Sequence, residues 1–169
     1  MRCTDARCPH AAHLWVITAA GARAPGIIAS MNTLHIATAC FVNDAHELLV
    51  VRKQNTRKWM LPGGKLAGAE TPEQASLREL QEELHLTLTA SSLTPLGYFQ
   101  AVAANEPDTQ VQAHVFAATL PPQCPITIAA EIAALQWMPL EHALHDADVA
   151  PMLREHVIPA LQQRLASTV

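Results

Sequence analysis

Residues 33–42 form an apolar run with β-branched members, the pattern of a buried strand. Asn43-Asp44 supplies a turn, and Leu48, Leu49, Val50 and Val51 carry a second strand over 47–52. A polar loop at 54–58 leads to a short strand at Trp59-Met60-Leu61, which Pro62-Gly63-Gly64 stops. Residues 71–84 are the strongest helix pattern. Thr71 suits the N-cap, Pro72 the first helical position, and Gln74 completes a capping box. Residues 93–104 and 109–120 predict a strand pair around Asn105-Glu106-Pro107-Asp108. A short strand follows at 132–137, then helices at 140–145 and 149–165, with Pro159 expected to kink or break the last. There is no internal repeat and no low-complexity linker, so the order predicts one mixed α/β domain.

Composition narrows the class. The chain has 169 residues, half of them apolar, enough to fill one core and to exclude wholesale disorder. Its apolar runs reach about ten residues, short of the roughly 20 of a membrane helix. The formal net charge of −4 argues against a nucleic-acid partner. Cys3, Cys8, Cys40 and Cys124 are irregularly spaced, which fits a reducing cytoplasm better than a disulfide framework. Cys40 reads as core packing.

Residues 1–30 read apart from 31–169. Cys3, Cys8, His10 and His13 do not follow a usual zinc spacing. Arg2 and Arg7 ahead of 14–20 resemble a poor signal peptide, weakened by Asp5 and the embedded histidines. The reading retained is an N-terminal extension, disordered or upstream of a true start at Met31.

Charge is unevenly placed. Arg52, Lys53, Arg57, Lys58 and Lys65 form a basic block, and Glu70, Glu73, Glu79, Glu82 and Glu83 an acidic one. At 100° per residue, Leu77, Leu80 and Leu84 make the buried stripe of the helix. Glu79, Glu82 and Glu83 gather within about 100° of one another on the other side, with Arg78 at their edge. Like charges at Glu79 and Glu83 cost only about 0.2–0.5 kcal/mol, so a solvated acidic face is affordable. Three carboxylates on one stripe also suit a hard divalent cation, which takes oxygen ligands. Gly63-Gly64-Lys65 before the helix lets backbone approach a phosphate or metal. Together these features suggest a site for a magnesium-bound di- or triphosphate.

Gly64-x5-Glu70-x7-Arg78-Glu79-Leu80-x-Glu82-Glu83-x-His85-Leu86 resembles the signature of the Nudix hydrolases. Eight of its nine defined positions match over 23 residues, and His85 stands where the family has glycine. The resemblance implies a MutT-like α/β/α sandwich with a central mixed β-sheet. It implies that Glu79, Glu82 and Glu83 hold Mg²⁺ or Mn²⁺, with the Gly64 carbonyl as a further ligand. Arg78 would orient the glutamates and Glu70 would be structural. Glu131, six residues before Trp137, is the first candidate for an additional ligand or general base, and Glu106 the second. His85 supplies no carboxylate, so its cost falls on the helix end, where glycine eases a left-handed turn.

The implied activity is hydrolysis of a phosphoanhydride in a nucleoside diphosphate linked to another group. A non-catalytic nucleotide sensor and an RNA-end pyrophosphohydrolase are the alternatives. Full retention of the carboxylates disfavours the first, and the acidic total the second. Arg52 and Lys65 are candidate phosphate contacts. Trp59, Tyr98 and Phe99 are candidates for stacking on a base. His142 and His145, near Asp146 and Asp148, resemble a second metal pattern that a polar surface helix explains equally well. The expected partner is a small nucleotide, with a homodimer left open.

Overall fold

In the computed structural model, described for residues 31–122, 124–129 and 131–167, the longest pairing runs between distant segments. Strand β1 (Asn32–Phe41) lies parallel to β5 (Thr109–Ala118) along its whole length. Strand β4 (Leu93–Val102) joins β5 antiparallel, as expected of two runs separated by a short turn. The turn places Asp108 at φ 51°, and β4 and β5 each end two residues earlier than the sequence predicts. The N-terminal extension expected over residues 1–30 lies outside the described residues.

The short third strand is displaced from its expected place. Trp59 and Met60 form only isolated bridges, to Val149 and Val51. The strand is β3 (Gly63–Lys65), antiparallel to β1, so the glycines expected to stop a strand instead form it. Gly63 explains why. Its φ is +141°, and a Cβ there would overlap the Ala37 carbonyl oxygen and come within 2.7 Å of Thr38 Cα. Only glycine lets β3 lie this close to β1. Gly63→Ala is expected to cost about 3 kcal/mol or more, because the obstacle is backbone. The measurement is a thermal melt; an unchanged midpoint would count against the close approach.

Strands β3, β1, β5 and β4 make one mixed sheet, in that order. A second, two-stranded antiparallel sheet pairs β2 (Glu47–Lys53) with β6 (Ile132–Pro139). Alternation then builds two cores. Ala37, Ala39 and Phe41 of β1 and Leu49 and Val51 of β2 pack with Leu80 and Leu84 of α1 (Pro72–Leu84). Cys40, Leu48, Val50 and Val115 face the other way, onto Leu153, Val157, Ile158 and Leu161. Helical layers thus cover both faces of the strands, giving the α/β/α sandwich. Buried Cys40 is part of this packing, and burial pushes its thiol up to about 12.

Helix α1 begins as its sequence prescribes. The Thr71 side chain accepts from the Gln74 N–H, and the Gln74 side chain accepts from the Thr71 N–H. It ends at His85, which takes φ 56° and ψ 27°, the left-handed conformation glycine favours. The Leu86 N–H reaches back to the Leu80 carbonyl at 3.2 Å, and the buried Leu86 side chain seals the end. The closing helix starts at residue 151, after α2 (Leu140–His145), rather than at 149. The peptide groups at 148–150 are engaged instead with Trp59, whose N–H donates to the Asp148 carbonyl and whose carbonyl accepts from Ala150. The helix is a π-helix over Leu153–Val157 and α-helical in α3 (Ile158–Ala166). Pro159 brings no N–H to this stretch, and the Ile158 N–H bonds five residues back to Leu153.

Candidate active site

Helix α1 presents its carboxylates to strand β3, but not all on one side of the apolar stripe. Glu83 is buried, at 1% exposure, beside Leu80 and Leu84. The sequence reading placed it opposite them. The correction follows from β3: Gly64, with no side chain, leaves room for the helix to close on the strand, and the Gly63 N–H meets the carboxylate of Glu83. The Gly63 N–H donates to Glu83 Oε2 at 2.9 Å. Glu79 lies over Gly64, where any Cβ would overlap its carboxylate. Glu82 points outward.

Arg78 organises the rest. Its Nε and Nη2 donate to the two oxygens of Glu70 at 3.1 and 2.8 Å. Nη1 donates to Glu79 at 2.7 Å and Glu82 at 3.2 Å, and Nη2 also reaches the Lys65 carbonyl at 3.1 Å. This planar fork holds three carboxylates and one backbone carbonyl. It holds the Glu70 carboxyl below its ordinary pKa, helped by the Ala67 N–H, while Glu70 and Glu79 raise that of Arg78.

A second cation, not singled out from the sequence, sits on the other flank. Lys53, at the end of β2, places Nζ 3.0 Å from Glu83 Oε1 and bonds Glu131. Its membership of the basic block was visible; its pairing with Glu131, 78 residues away, was not. Burial lowers the Lys53 pKa, but the bond to Glu131 and the charge of Glu83 more than offset this and leave it raised. Burial dominates at Glu83 and raises its pKa despite Lys53 and the Gly63 N–H. Glu83 Oε1 accepts no well-aligned hydrogen bond.

Between these groups opens a cleft of about 470 Å³. Its mouth carries Lys53, Lys65, Glu79, Glu106 and Glu131; Lys65 and Glu106 pair across 3.8 Å. Its interior is apolar, with Ile36, Met60, Leu61, Met152 and Leu153. Thr38 also lines it and is 5% exposed, and its hydroxyl has no hydrogen-bond partner. An unpaired buried hydroxyl costs about 1–3 kcal/mol. Other candidates lie elsewhere. Arg52 stacks over Trp59, 4.9 Å from the ring centroid, and neither lines the cleft. Tyr98 is half-exposed and bonds Gln112, and Phe99 stacks on His156 in the core. Each is engaged by a neighbour on the protein's own surface or core.

The set suits a hard cation in its chemistry: carboxylate and carbonyl oxygens, with Glu83 Oε1 buried and met by the Lys53 ammonium at 3.0 Å without a well-aligned hydrogen bond. Among the described residues no three His, Cys, Asp or Glu side chains converge as they would around an ion. Arg78 and Lys53 draw the carboxylates to opposite flanks. The same holds for His142, which pairs with Asp146 at 3.4 Å.

A profile of the NUDIX domain matches residues 33–160. The chain belongs to this family. A Proteus vulgaris 8-oxo-dGTP diphosphatase is 37% identical over 91 residues, covering 51% of this chain and 76% of that protein. A Myxococcus xanthus octanoyltransferase is 33% identical over 118 residues, 68% of this chain, and the chain spans only 32% of that protein's length. The MutT protein of Methanosarcina mazei superposes with a TM-score of 0.65 at 23% identity, over 79% of this chain and 96% of that one. The fold is therefore the Nudix fold. The Nudix box lies on β3, the following loop and α1, and its one departure, His85, is exposed at the helix end.

Proposed function

We propose that the chain is a divalent-metal-dependent hydrolase of a phosphoanhydride in a nucleoside diphosphate linked to a further group, such as a nucleoside triphosphate. The observation that supports this reading is the carboxylate face of α1 closed on β3, with Glu79 over Gly64 and buried Glu83 bonded by the Gly63 N–H, beside a cleft whose mouth carries Glu79, Lys53 and Lys65. Glu79, Glu82, Glu83 and the Gly64 carbonyl would hold Mg²⁺ or Mn²⁺. When bound, the ion supplies charge for the phosphate oxygens and lowers the pKa of a coordinated water.

The chain's own residues do the rest. Arg78 orients Glu70, Glu79 and Glu82 before substrate arrives, while Lys53 holds Glu83 and Glu131. Lys53 and Lys65 at the mouth neutralise phosphate oxygens. Glu131, at 59% side-chain exposure and held by Lys53, would accept a proton from the attacking water. The apolar interior takes the nucleoside and keeps water from it.

The test is release of phosphate or nucleoside monophosphate from a panel of nucleotides, with Mg²⁺ and with chelator. Turnover of at least one member, lost on chelation, is the expected result. No release from any member would favour a nucleotide sensor, and release from capped or triphosphorylated RNA alone would favour the RNA-end reading.

A further inference from the structure

We propose that the Thr38 hydroxyl reads one hydrogen-bonding group on the nucleobase, and so sets which nucleotide the cleft prefers. The inference rests on the reading that the cleft takes a nucleotide. Three observations carry it. The hydroxyl is buried and has no partner in the protein. It belongs to a residue lining the cleft, among Leu61, Met152 and Leu153, which are also buried. Its orientation is restricted: a Cβ on Gly63 would come within 2.9 Å of Thr38 Cγ2, so the methyl lies against the glycine. A β-branched side chain with its methyl so placed has little freedom to turn its hydroxyl elsewhere.

The surroundings choose the base over the sugar. The charged groups gather at the exposed mouth, where Lys65, Glu106 and Glu131 are each at least half exposed. The phosphates therefore sit there, and the far end of the ligand enters the interior. A ribose in that interior would bring several hydroxyls to a wall of leucine and methionine. A flat heterocycle would bring two apolar faces, which the thioethers of Met60 and Met152 suit. Thr56 and Asn105 also line the cleft but are not buried; among the buried lining residues Thr38 carries the polar side chain, which can donate to a ring carbonyl or accept from an amino group. A site that pairs a buried polar group with its ligand discriminates against a ligand lacking the complementary atom.

Titration calorimetry of the full chain in magnesium buffer tests this, using AMP, GMP, CMP, UMP and ribose 5-phosphate as probes. In Thr38→Val the nucleoside monophosphate that wild type binds most tightly is expected to bind about tenfold more weakly, the size of one buried hydrogen bond. Binding of ribose 5-phosphate should not change. Thr38→Ser, which keeps the hydroxyl, should retain most of the preference. The valine variant should melt no lower than wild type, since it removes an unpaired polar atom. Equal affinities in wild type and Thr38→Val, or an equal loss for ribose 5-phosphate, would overturn the assignment. Either outcome with hydrolysis intact sinks the hydroxyl's role alone, whereas a chain that hydrolyses no nucleotide sinks the proposed function.

Discussion

Glu83→Gln is expected to lower metal-dependent kcat by about 10³-fold or more and to leave the metal-free protein melting no lower than wild type. The substitution is nearly isosteric. The amide oxygen can still accept from the Gly63 N–H, 2.9 Å from Glu83 Oε2, so the contact between α1 and β3 survives. What disappears is a buried negative charge. Its pKa is raised in the fold, so the native state holds its proton more tightly than the unfolded chain does. Stability from this group is greatest below its ordinary pKa of 4.5 and is lost as pH rises through the raised value. At neutral pH the charged carboxylate therefore works against the fold, and glutamine removes that burden. Lys53 keeps Glu131 as a partner. Steady-state kinetics and a thermal melt in chelator check the two halves separately. Normal turnover would remove Glu83 from the chemistry, and a large fall in melting temperature would make its role structural.

Arg78→Ala should act on both quantities. It removes the bidentate hold on Glu70, the bonds to Glu79 and Glu82, and the link to the Lys65 carbonyl. A loss of about 10²-fold in kcat is expected, because the remaining carboxylates must find their geometry unaided. The pair with Glu70 is only partly shielded, so the thermal midpoint should fall only modestly. Arg78→Lys should recover little, since one ammonium cannot reproduce a fork that serves three carboxylates. Full activity in the lysine variant would show that charge alone suffices.

Much of this site could be read from the chain because it is local. The Thr71 cap, the helix end at His85 and the spacing of Glu79, Glu82 and Glu83 are properties of consecutive residues. The facing of Glu83 was missed because a helical wheel puts it about 60° from Leu80, on the border of the stripe. Gly63 and Gly64, on the facing strand, decide which way that border falls. Lys53 was missed for a related reason: nothing in a basic run marks which member will meet a carboxylate 78 residues away. The aromatics were not separable in the sequence, because stacking on a base and packing on a neighbour demand the same ring. Trp59 found Arg52, and Phe99 found His156.

The parallel pairing of β1 with β5 bears on how this site comes into being. Every paired residue in it is separated by 77 positions, from Asn32 with Thr109 to Phe41 with Ala118. Contacts of such span close slowly, because loop entropy is lost before any pairing rewards it. The Nudix box leans on β1 through β3 and α1, and β1 gains its long partner only once β5 has been made. During synthesis the box residues leave the ribosome well before Thr109. The carboxylate helix is thus drafted early and mounted late, and catalytic competence belongs to the last stage of folding.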